Sequence, residues 1–246
     1  MQMKDNTILV TGGGTGIGRG LAESLFRLGN QVIIAGRRPE PLQSVTNANP
    51  GMQYLLLDQG DAADIARFSP ELIDRYPNLN VVINNAGIQL REDLTAGDVS
   101  AAEQTVAINL LGPIRLIAAL LPALGDQPQA TIVNVTSGLA FMPQAVTPTY
   151  CATKAALHSY TQSLRFQLRE TSIQVVELIP PKVQTALQGE HGFDPAAMPL
   201  DEYVAETMAL LQTQPDADEI VVERAKGFRF AERNGDFDAI VTALNT

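Results

Sequence analysis

The sequence has few of the residues that build disulfide frameworks and metal sites, since its 246 residues include one cysteine and two histidines. The lone cysteine, Cys151, excludes an intramolecular disulfide, and no group of cysteines and histidines has the spacing of metal ligands. We therefore expect no bound metal. This cysteine usage fits a reducing, cytoplasmic location best.

Basic residues are also in short supply, with 17 lysines and arginines against 27 aspartates and glutamates and a net charge of −10 at pH 7. The overall charge of such a chain does not attract it to nucleic acid or to an anionic membrane. We therefore expect no nucleic-acid partner. Any cluster of positive charge that binds an anion has to be local.

Long hydrophobic runs are missing too. The longest apolar stretch, residues 110–124, is interrupted by two prolines, a glycine and an arginine, and it is too short to span a bilayer. A strand-like run begins as early as Thr7, which leaves no room before it for the apolar region of a signal peptide. We expect a soluble protein without a membrane segment.

Short β-rich runs recur between helix-like segments, and their residues are apolar in succession rather than in alternation. Strands covered on both faces require this pattern, and the intervening segments are long enough for crossover helices. The runs are residues 8–10, 32–34, 54–57, 81–83, 132–135, 175–178 and 220–222. The sequence predicts an α/β fold, a single Rossmann-type doubly wound domain over residues 1–246 with a seven-stranded parallel sheet and helices on both faces.

Residues 186–203 depart from this pattern, because glycines and prolines are mixed there with apolar side chains such as Leu187, Phe193, Met198 and Leu200. The composition predicts a long loop with short helices. Irregular insertions beyond the carboxyl end of a strand often hold ligands in doubly wound folds, so this segment is a candidate substrate lid. A surface excursion without function is the alternative.

A glycine-rich turn follows the first predicted strand and opens a helix, where residues 11–18 read Thr-Gly-Gly-Gly-Thr-Gly-Ile-Gly. Glycines let the backbone turn tightly and approach a ligand, while backbone N–H groups and the helix dipole attract a pyrophosphate. Because strand, turn, helix and next strand come in the correct order, we favour nucleotide binding over a purely structural turn. The predicted contacts are Gly12, Thr15, Gly16, Ile17 and Gly18.

Two arginines, Arg37 and Arg38, follow the second predicted strand. An NAD-binding fold usually has an aspartate or glutamate there for the ribose diol. Guanidinium groups can instead pair with a ribose 2′-phosphate. The sequence therefore predicts NADP(H) in preference to NAD(H), with solvated arginines that open the next helix as the alternative.

Tyr150 and Lys154 are four residues apart, which on a helix places the phenol and the ammonium on one face, about 6 Å apart along the axis. A cation held there favours the phenolate and brings its proton exchange towards neutral pH. The pair is a candidate general acid/base. By itself, the spacing is far more often that of an exposed tyrosine and lysine.

Together these motifs resemble the classical short-chain dehydrogenase/reductase family over essentially the whole chain. The turn Thr11-Gly12-x-x-x-Gly16-x-Gly18 is similar to the coenzyme signature of that family, and residues 84–87, Asn-Asn-Ala-Gly, are similar to its motif after the fourth strand. The resemblance places the catalytic tetrad and further cofactor contacts on particular residues. The tetrad is Asn109, Ser137, Tyr150 and Lys154, and the further contacts are Asp58 at the adenine, Asn85, Ala86 and Gly87, and Pro180, Val183 and Thr185 over the nicotinamide.

The resemblance implies hydride transfer between NADPH and a small-molecule carbonyl, with Tyr150 as the proton donor. Ser137 would hold the carbonyl oxygen, and Lys154 would favour ionisation of Tyr150 and bind the nicotinamide ribose. The main chain of Asn109 would hold a water, although a locally bonded polar residue in a helix is the alternative. Pro181 is a departure, because most of the family has glycine there.

The run at residues 146–150, Val-Thr-Pro-Thr-Tyr, and the acidic tail look like a subgroup named for D-alanine esterification of teichoic acids. The family also implies a homo-oligomer, a dimer or tetramer. Leu157, Leu164 and Leu168 form one stripe on the helix after Tyr150, which suits either an interface or the core.

Two functions other than catalysis are compatible with this fold. One is a catalytically silent regulator that senses a dinucleotide, and the other is a scaffold with a vestigial cofactor site. Neither needs Ser137, Tyr150 and Lys154 together. The presence of all three therefore favours an enzyme.

Overall fold

The strands lie side by side in one parallel sheet of seven strands in the computed structural model, which describes residues 1–187, 189 and 194–246. In chain order the strands are β1 (Thr7–Thr11), β2 (Gln31–Gly36), β3 (Gln53–Leu56), β4 (Leu79–Asn84), β5 (Ala130–Val135), β6 (Ile173–Ile179) and β7 (Glu219–Val221). Their order across the sheet is β3-β2-β1-β4-β5-β6-β7, and every neighbouring pair is parallel. The predicted fold class is confirmed.

Each of the seven apolar runs forms a strand, and most strands extend one or two residues beyond the run, but two runs overshoot the strand by one residue at the carboxyl end. Leu57 and Val222 lie just beyond β3 and β7. Every residue of β1 and β5 is buried, as expected of strands covered on both faces. The strand order reverses between β1 and β4, so their connections leave in opposite directions and open a crevice at the carboxyl edge of the sheet.

Helices cover both faces of the sheet. They are α1 (Gly16–Arg27), α2 (Pro39–Ala48), α3 (Ala62–Arg75), α4 (Ser100–Val106), α5 (Gly112–Gly125), α6 (Pro148–Leu168), α7 (Leu200–Thr213), α8 (Glu223–Arg229), α9 (Ala231–Asn234) and α10 (Phe237–Asn245). Leu21, Leu42 and Leu211 bring α1, α2 and α7 into the core on one face. Leu72 and Leu116 bring α3 and α5 into the core on the other.

The apolar segment before β5 is longer than the sequence predicts. A π-helical turn at Ala107–Leu111 joins α4 to α5, so one helical stretch runs over Ser100–Gly125. Among the described residues, this is the helical stretch that is long and apolar enough to cross a membrane. Of its 18 consecutive most apolar residues, 39% are buried within the fold. Its inner side chains, Leu116, Leu120 and Leu124, lie in the core next to the sheet.

The predicted loop at 186–203 ends earlier than expected, because α7 begins at Leu200 and residues 200–203 form its first turn. Residue 188 and residues 190–193, including Phe193, lie outside the described part of the chain. Backbone hydrogen bonds join residues 182–184 to Met198. Gln184 donates to the Met198 carbonyl and Met198 donates to the Lys182 carbonyl, each at 2.9 Å.

We expect Leu120→Ala to lower the free energy of unfolding by about 2–5 kcal/mol, because it removes a fully buried side chain of α5 and leaves a cavity beside the sheet. Chemical denaturation measures the change. Leu94→Ala is the matched control, because Leu94 is 71% exposed, and a change within about 0.5 kcal/mol is expected for it. Equal losses in the two variants would contradict the described packing.

Candidate active site

A threonine ties the glycine turn to the loop that follows β4. The Thr11 hydroxyl oxygen accepts hydrogen bonds from the backbone N–H groups of Asn85 at 3.1 Å and Ala86 at 3.0 Å. In return, the Asn85 side-chain amide donates to the Thr11 carbonyl at 2.9 Å. These bonds link β1 and β4 at the point where the strand order reverses.

Two positions in the turn show why glycine is needed there. Gly12 has φ +67°, and a Cβ on it would lie 2.9 Å from the Ala86 Cα. A Cβ on Gly18 would lie 2.4 Å from the carbonyl oxygen of Gly12. Both contacts are with backbone, which cannot easily move away. The turn therefore requires glycine for its own shape, as a close-approach anion cradle does.

A cavity of about 390 Å³ opens along the carboxyl edge of the sheet above this turn. It contains most of the residues that the sequence predicts for a dinucleotide. They are Gly12, Thr15, Gly16, Ile17, Arg37, Arg38, Asp58, Asn85, Ala86, Gly87, Lys154, Pro180 and Thr185, together with Tyr150. The long, partly polar cavity and the close-approach turn both fit a dinucleotide.

Two predicted cofactor contacts do not line this cavity. Gly18 lies beneath the turn, where its Cα hydrogens face the Gly12 carbonyl and the Asn85 amide. Val183 is buried and lines a neighbouring cavity instead. Gly18 therefore shapes the turn from below, and Val183 forms a β-bridge with Met198. Their direct contacts with the cofactor stay predictions.

The two arginines lie at one end of the first cavity, where β2 passes into α2. Both are exposed, and Arg38 is the residue that precedes the first turn of α2. Across the described ranges, neither guanidinium has a carboxylate within ion-pair distance. Their charges are therefore available to an anionic group in the cavity.

Tyr150 and Lys154 lie side by side on α6, and both are buried. The Lys154 Nζ donates to the Val135 carbonyl at 2.8 Å and lies 5.7 Å from the centre of the Tyr150 ring. The predicted shared helix face is present. The alternative of an exposed pair is excluded by their burial.

The pKa of Tyr150 moves opposite to the sequence-based expectation. Burial raises the pKa of Tyr150 to about 12, and a hydrogen bond with Ser137 opposes that rise. Burial lowers the pKa of Lys154 to about 8, and the negative charge of Glu177 opposes that fall. The spacing of the pair was predicted correctly, but desolvation of the buried phenol dominates its pKa, and Lys154 is not among the groups that shift it.

Ser137 stands at the carboxyl end of β5, next to the phenol of Tyr150. Its hydroxyl oxygen accepts from the Leu139 N–H at 3.1 Å, and the following residue, Gly138, donates to the Pro180 carbonyl at 2.8 Å. These bonds form a short turn after β5 and tie it to the chain that follows β6. Ser137 and Tyr150 line the same cavity, so both hydroxyl groups can contact one carbonyl oxygen there.

Asn109 lies in the π-helical turn between α4 and α5 and is buried. Its amide oxygen accepts from the Ile88 N–H at 2.9 Å, and its amide nitrogen donates to the Ile88 carbonyl at 2.8 Å. The alternative of a locally bonded asparagine is therefore wrong, since the partner is 21 residues away. π-Helical turns are frequent at functional sites, and this one fixes the loop after Gly87.

A second cavity of about 430 Å³ adjoins the first. Ser137 and Tyr150 lie in its wall, with apolar side chains that include Leu139, Val183, Met198 and Phe228. Leu244 of α10 also lines it, and Asn245 holds α10 there by accepting from the Ala145 N–H at 2.6 Å. The carboxyl-terminal helix therefore completes this pocket.

Sequence reasoning missed several residues of the first cavity. They are Gly14, Gly36, Pro41, Leu42, Leu57, Gln59, Ile88, Gln89, Leu90, Ile108, Val135 and Thr136. Many lie within a few residues of a strand's carboxyl end, and that position was a usable signal. Four residues of the predicted lid line one cavity or both, namely Ala186, Leu187, Ala196 and Met198.

The packing of α6 decides between the two alternatives for its leucine stripe. Leu157 and Leu164 are buried and Leu168 is partly buried, so the stripe belongs to the core and does not support an interface. The His158 ring is mostly buried and hydrogen-bonded to Glu177. Cys151 is a packed side chain, and burial raises its pKa.

The short chain dehydrogenase family model matches residues 6–195.

The chain belongs to the short-chain dehydrogenase family.

It is 41% identical to the uncharacterized oxidoreductase DltE of Bacillus subtilis strain 168, over 100% of this chain and 99% of that protein. A short chain dehydrogenase from Burkholderia cenocepacia J2315, solved in complex with NADP, matches 100% of both chains with 26% identity and a TM-score of 0.85. A short chain dehydrogenase/reductase from Burkholderia phymatum, solved in complex with NAD, covers 97% of both chains with a TM-score of 0.85 but 18% identity, and shows the fold alone.

The resemblance inferred from the motifs is thereby confirmed, including the likeness to a DltE-named protein. The chain is an oxidoreductase of this family with a site for a dinucleotide cofactor. The arrangement of Ser137, Tyr150 and Lys154 at the junction of two cavities is the part of the structure that bears on its reaction.

We expect Gly18→Ala to weaken dinucleotide binding by more than about tenfold, because its Cβ would meet the Gly12 carbonyl at 2.4 Å and displace the turn. Fluorescence titration with NADPH measures the dissociation constant. Gly227→Ala is the control, because a Cβ on that glycine of α8 has nothing within 4 Å. Unchanged NADPH affinity in Gly18→Ala would refute the proposed cradle.

Proposed function

We propose that the protein is an NADP(H)-dependent oxidoreductase that interconverts a carbonyl and a secondary alcohol on a small molecule. One observation carries this proposal: Tyr150 lines both the cavity that fits the dinucleotide and the apolar cavity beside it. A proton donor at that junction can reach a substrate whose reacting carbon faces the first cavity. The bound dinucleotide supplies a hydride from its nicotinamide ring.

Tyr150 and Ser137 act on the carbonyl oxygen. The Ser137 hydroxyl can donate a hydrogen bond to that oxygen and fix it within reach of the phenol, which then donates its proton. The high pKa of Tyr150, raised to about 12 by burial, keeps the phenol protonated before the reaction. The same groups operate in reverse when an alcohol is oxidised.

Lys154 stabilises the charge that develops on Tyr150 as the proton leaves. The ammonium is held by the Val135 carbonyl, 5.7 Å from the ring centre, where Coulomb attraction is strong because water is excluded. It also lines the dinucleotide cavity, so it can hydrogen-bond a ribose hydroxyl there. Asn109 supports this region by holding the loop after Gly87.

The preference for NADP(H) is supported by Arg37 and Arg38. Among the described residues, the two guanidiniums have no carboxylate partner, and they lie at the end of the cavity where β2 passes into α2. They suit a 2′-phosphate better than a ribose diol, and the Burkholderia cenocepacia relative was solved with NADP. Asp58 also lines this end, and its carboxylate accepts from the Gly60 N–H at 2.9 Å. We place the reaction in the cytoplasm and propose a homo-oligomer, as in the sequence-based expectation.

A regulator that binds the dinucleotide without turnover is the rival proposal. It would need the glycine turn and the arginines but not the second cavity with Ser137 and Tyr150 in its wall. The combination of a substrate-sized cavity and a buried acid/base group favours the enzyme.

We expect Tyr150→Phe to reduce carbonyl reduction by at least about a thousandfold, since it removes the proton donor while keeping the ring. The rate of NADPH oxidation with a panel of ketones and aldehydes measures this. Tyr160→Phe, on the same helix but away from both cavities, is the control. Equal rates in Tyr150→Phe and the unaltered protein would contradict the role of Tyr150.

The pH profile of reduction follows from the two shifted groups. Reduction needs a protonated Tyr150 and a charged Lys154. As the pH rises, Lys154 with its pKa of about 8 loses its proton well before Tyr150 with its pKa of about 12, so the rate should fall above about pH 8.

We expect Arg37→Asp to shift the ratio of kcat/KM values towards NADH by about tenfold or more, because a carboxylate repels the 2′-phosphate and accepts from the ribose diol. Initial rates with each cofactor measure the ratio. Arg27→Asp makes the same charge change at an exposed arginine of α1 that does not line the cavity. If both variants discriminate alike, Arg37 does not contact the phosphate.

A further inference from the structure

A buried carboxylate lies behind the catalytic pair. Glu177 is on β6 and is fully buried. The Thr136 hydroxyl donates to its Oε1 at 2.6 Å, and the His158 Nδ1 lies 3.0 and 2.8 Å from its two oxygens. A carboxylate is expensive to bury unless its oxygens are bonded and its charge is balanced. Its position therefore calls for a nearby cation.

The nearest catalytic cation is Lys154. His158 follows Lys154 by four residues on α6, so both side chains leave the same helix face towards β5 and β6. The Lys154 Nζ donates to the carbonyl of Val135, and the next residue, Thr136, donates to Glu177. One short route, through the neighbouring residues Val135 and Thr136, thus connects the ammonium to the carboxylate. The negative charge of Glu177 opposes the lowering of the Lys154 pKa by burial.

We propose that Glu177 is a positioning residue whose buried carboxylate, fixed by Thr136 and His158, keeps the Lys154 ammonium charged beside Tyr150. The hydrogen bond with Thr136 also anchors the residue that precedes Ser137. The Glu177 side chain therefore supports both Lys154 and the backbone next to Ser137. The consequence for activity rests on the proposed function, whereas the effect on Lys154 itself does not.

Other charged side chains lie around Glu177, and most of them are paired with one another. Glu219 of β7 is paired with Arg229 of α8, whose guanidinium donates to both carboxylate oxygens at 2.9 and 2.8 Å. The charge of Glu177 helps to raise the pKa of Arg229. Arg165 of α6 is turned to the Val175 carbonyl and the exposed Asp218.

The His158 ring takes part as a hydrogen-bond donor. Because a carboxylate can only accept, Nδ1 carries the proton, and Nε2 then accepts from the Gln162 side-chain amide at 3.1 Å. This bond from Nδ1 holds the Glu177 carboxylate in place on the side of β6 that faces α6.

A metal ion is the competing occupant of this cluster. Ligand atoms of His158, Glu177 and Glu219 lie within 4.8 Å of one another. The guanidinium of Arg229 already contacts both oxygens of Glu219, and Thr136 and His158 contact Glu177. A metal would have to displace these donors, so protein cations balance the two carboxylates.

The test is the titration of Lys154 in the full-length protein by NMR of 13C-labelled lysine. The chain has four lysines, Lys4, Lys154, Lys182 and Lys226, and the signal lost in Lys154→Arg identifies the one in question. Glu177→Gln keeps the size of the side chain and a hydrogen-bond acceptor for Thr136 but removes the charge. We expect the Lys154 titration midpoint to fall by about one pH unit or more.

The matched control is Glu219→Gln, which removes the other carboxylate of the cluster. Glu219 is not among the charges that shift Lys154, so a much smaller change is expected. A folded Glu177→Gln protein with an unchanged Lys154 midpoint overturns the proposal. Stoichiometric zinc binding that Glu219→Gln abolishes also overturns it, in favour of a metal site.

A second variant and a kinetic measurement separate the remaining outcomes of the test. If Glu177→Gln does not fold, Glu177→Asp, which withdraws the charge by one methylene, should still lower the midpoint, and a midpoint equal to that of the unaltered protein overturns the proposal. In an active protein, the fall in carbonyl reduction with rising pH should move to lower pH in Glu177→Gln by the same amount. If the unaltered protein turns over no carbonyl, the proposed function fails, while the midpoint alone still decides the role of Glu177.

Discussion

A parallel sheet covered on both faces places the carboxyl ends of all its strands along one edge, and the site depends on that constraint. β1, β4 and β5 end beside one another there, bringing the glycine turn, the loop after Asn84 and Ser137 together. The bonds of Thr11 with Asn85 and Ala86 fix the first two. The covering helix α6 then supplies Tyr150 and Lys154. No single motif makes the site, because each element brings one part of it.

The second constraint is the cost of placing charge at this buried edge. An ammonium or a carboxylate loses several kcal/mol of hydration when it leaves water, which is more than an exposed ion pair returns. Lys154 and Glu177 are both buried, with the Val135 carbonyl as a partner of the ammonium and Thr136 and His158 as partners of the carboxylate. The same desolvation raises the pKa of Tyr150 and lowers that of Lys154. Burial of these groups therefore also sets which of them are ionised in the site, and the buried groups come from α6 and β6.

Local patterns predicted much of this molecule because they act over short distances. Successive apolar residues identified all seven strands, and the glycine turn located the dinucleotide cavity. Properties that depend on the surroundings were not predictable. The leucine stripe of α6 showed a helix face but not that the sheet covers it, and the Tyr150–Lys154 spacing gave the geometry but not the direction of the pKa. The pairing of His158 with Glu177 joins residues 19 apart on a helix and a strand, outside any local motif.

The central claim is that a hydride passes to a carbonyl carbon held beside Tyr150. Incubation with NADPH deuterated at nicotinamide C4 and a panel of ketones and aldehydes tests it, with mass spectrometry of the alcohols formed. We predict deuterium on the carbinol carbon of at least one product, and none above background with Tyr150→Phe. A protein that binds NADPH but transfers deuterium to no member of a broad panel would contradict the account and favour the silent regulator.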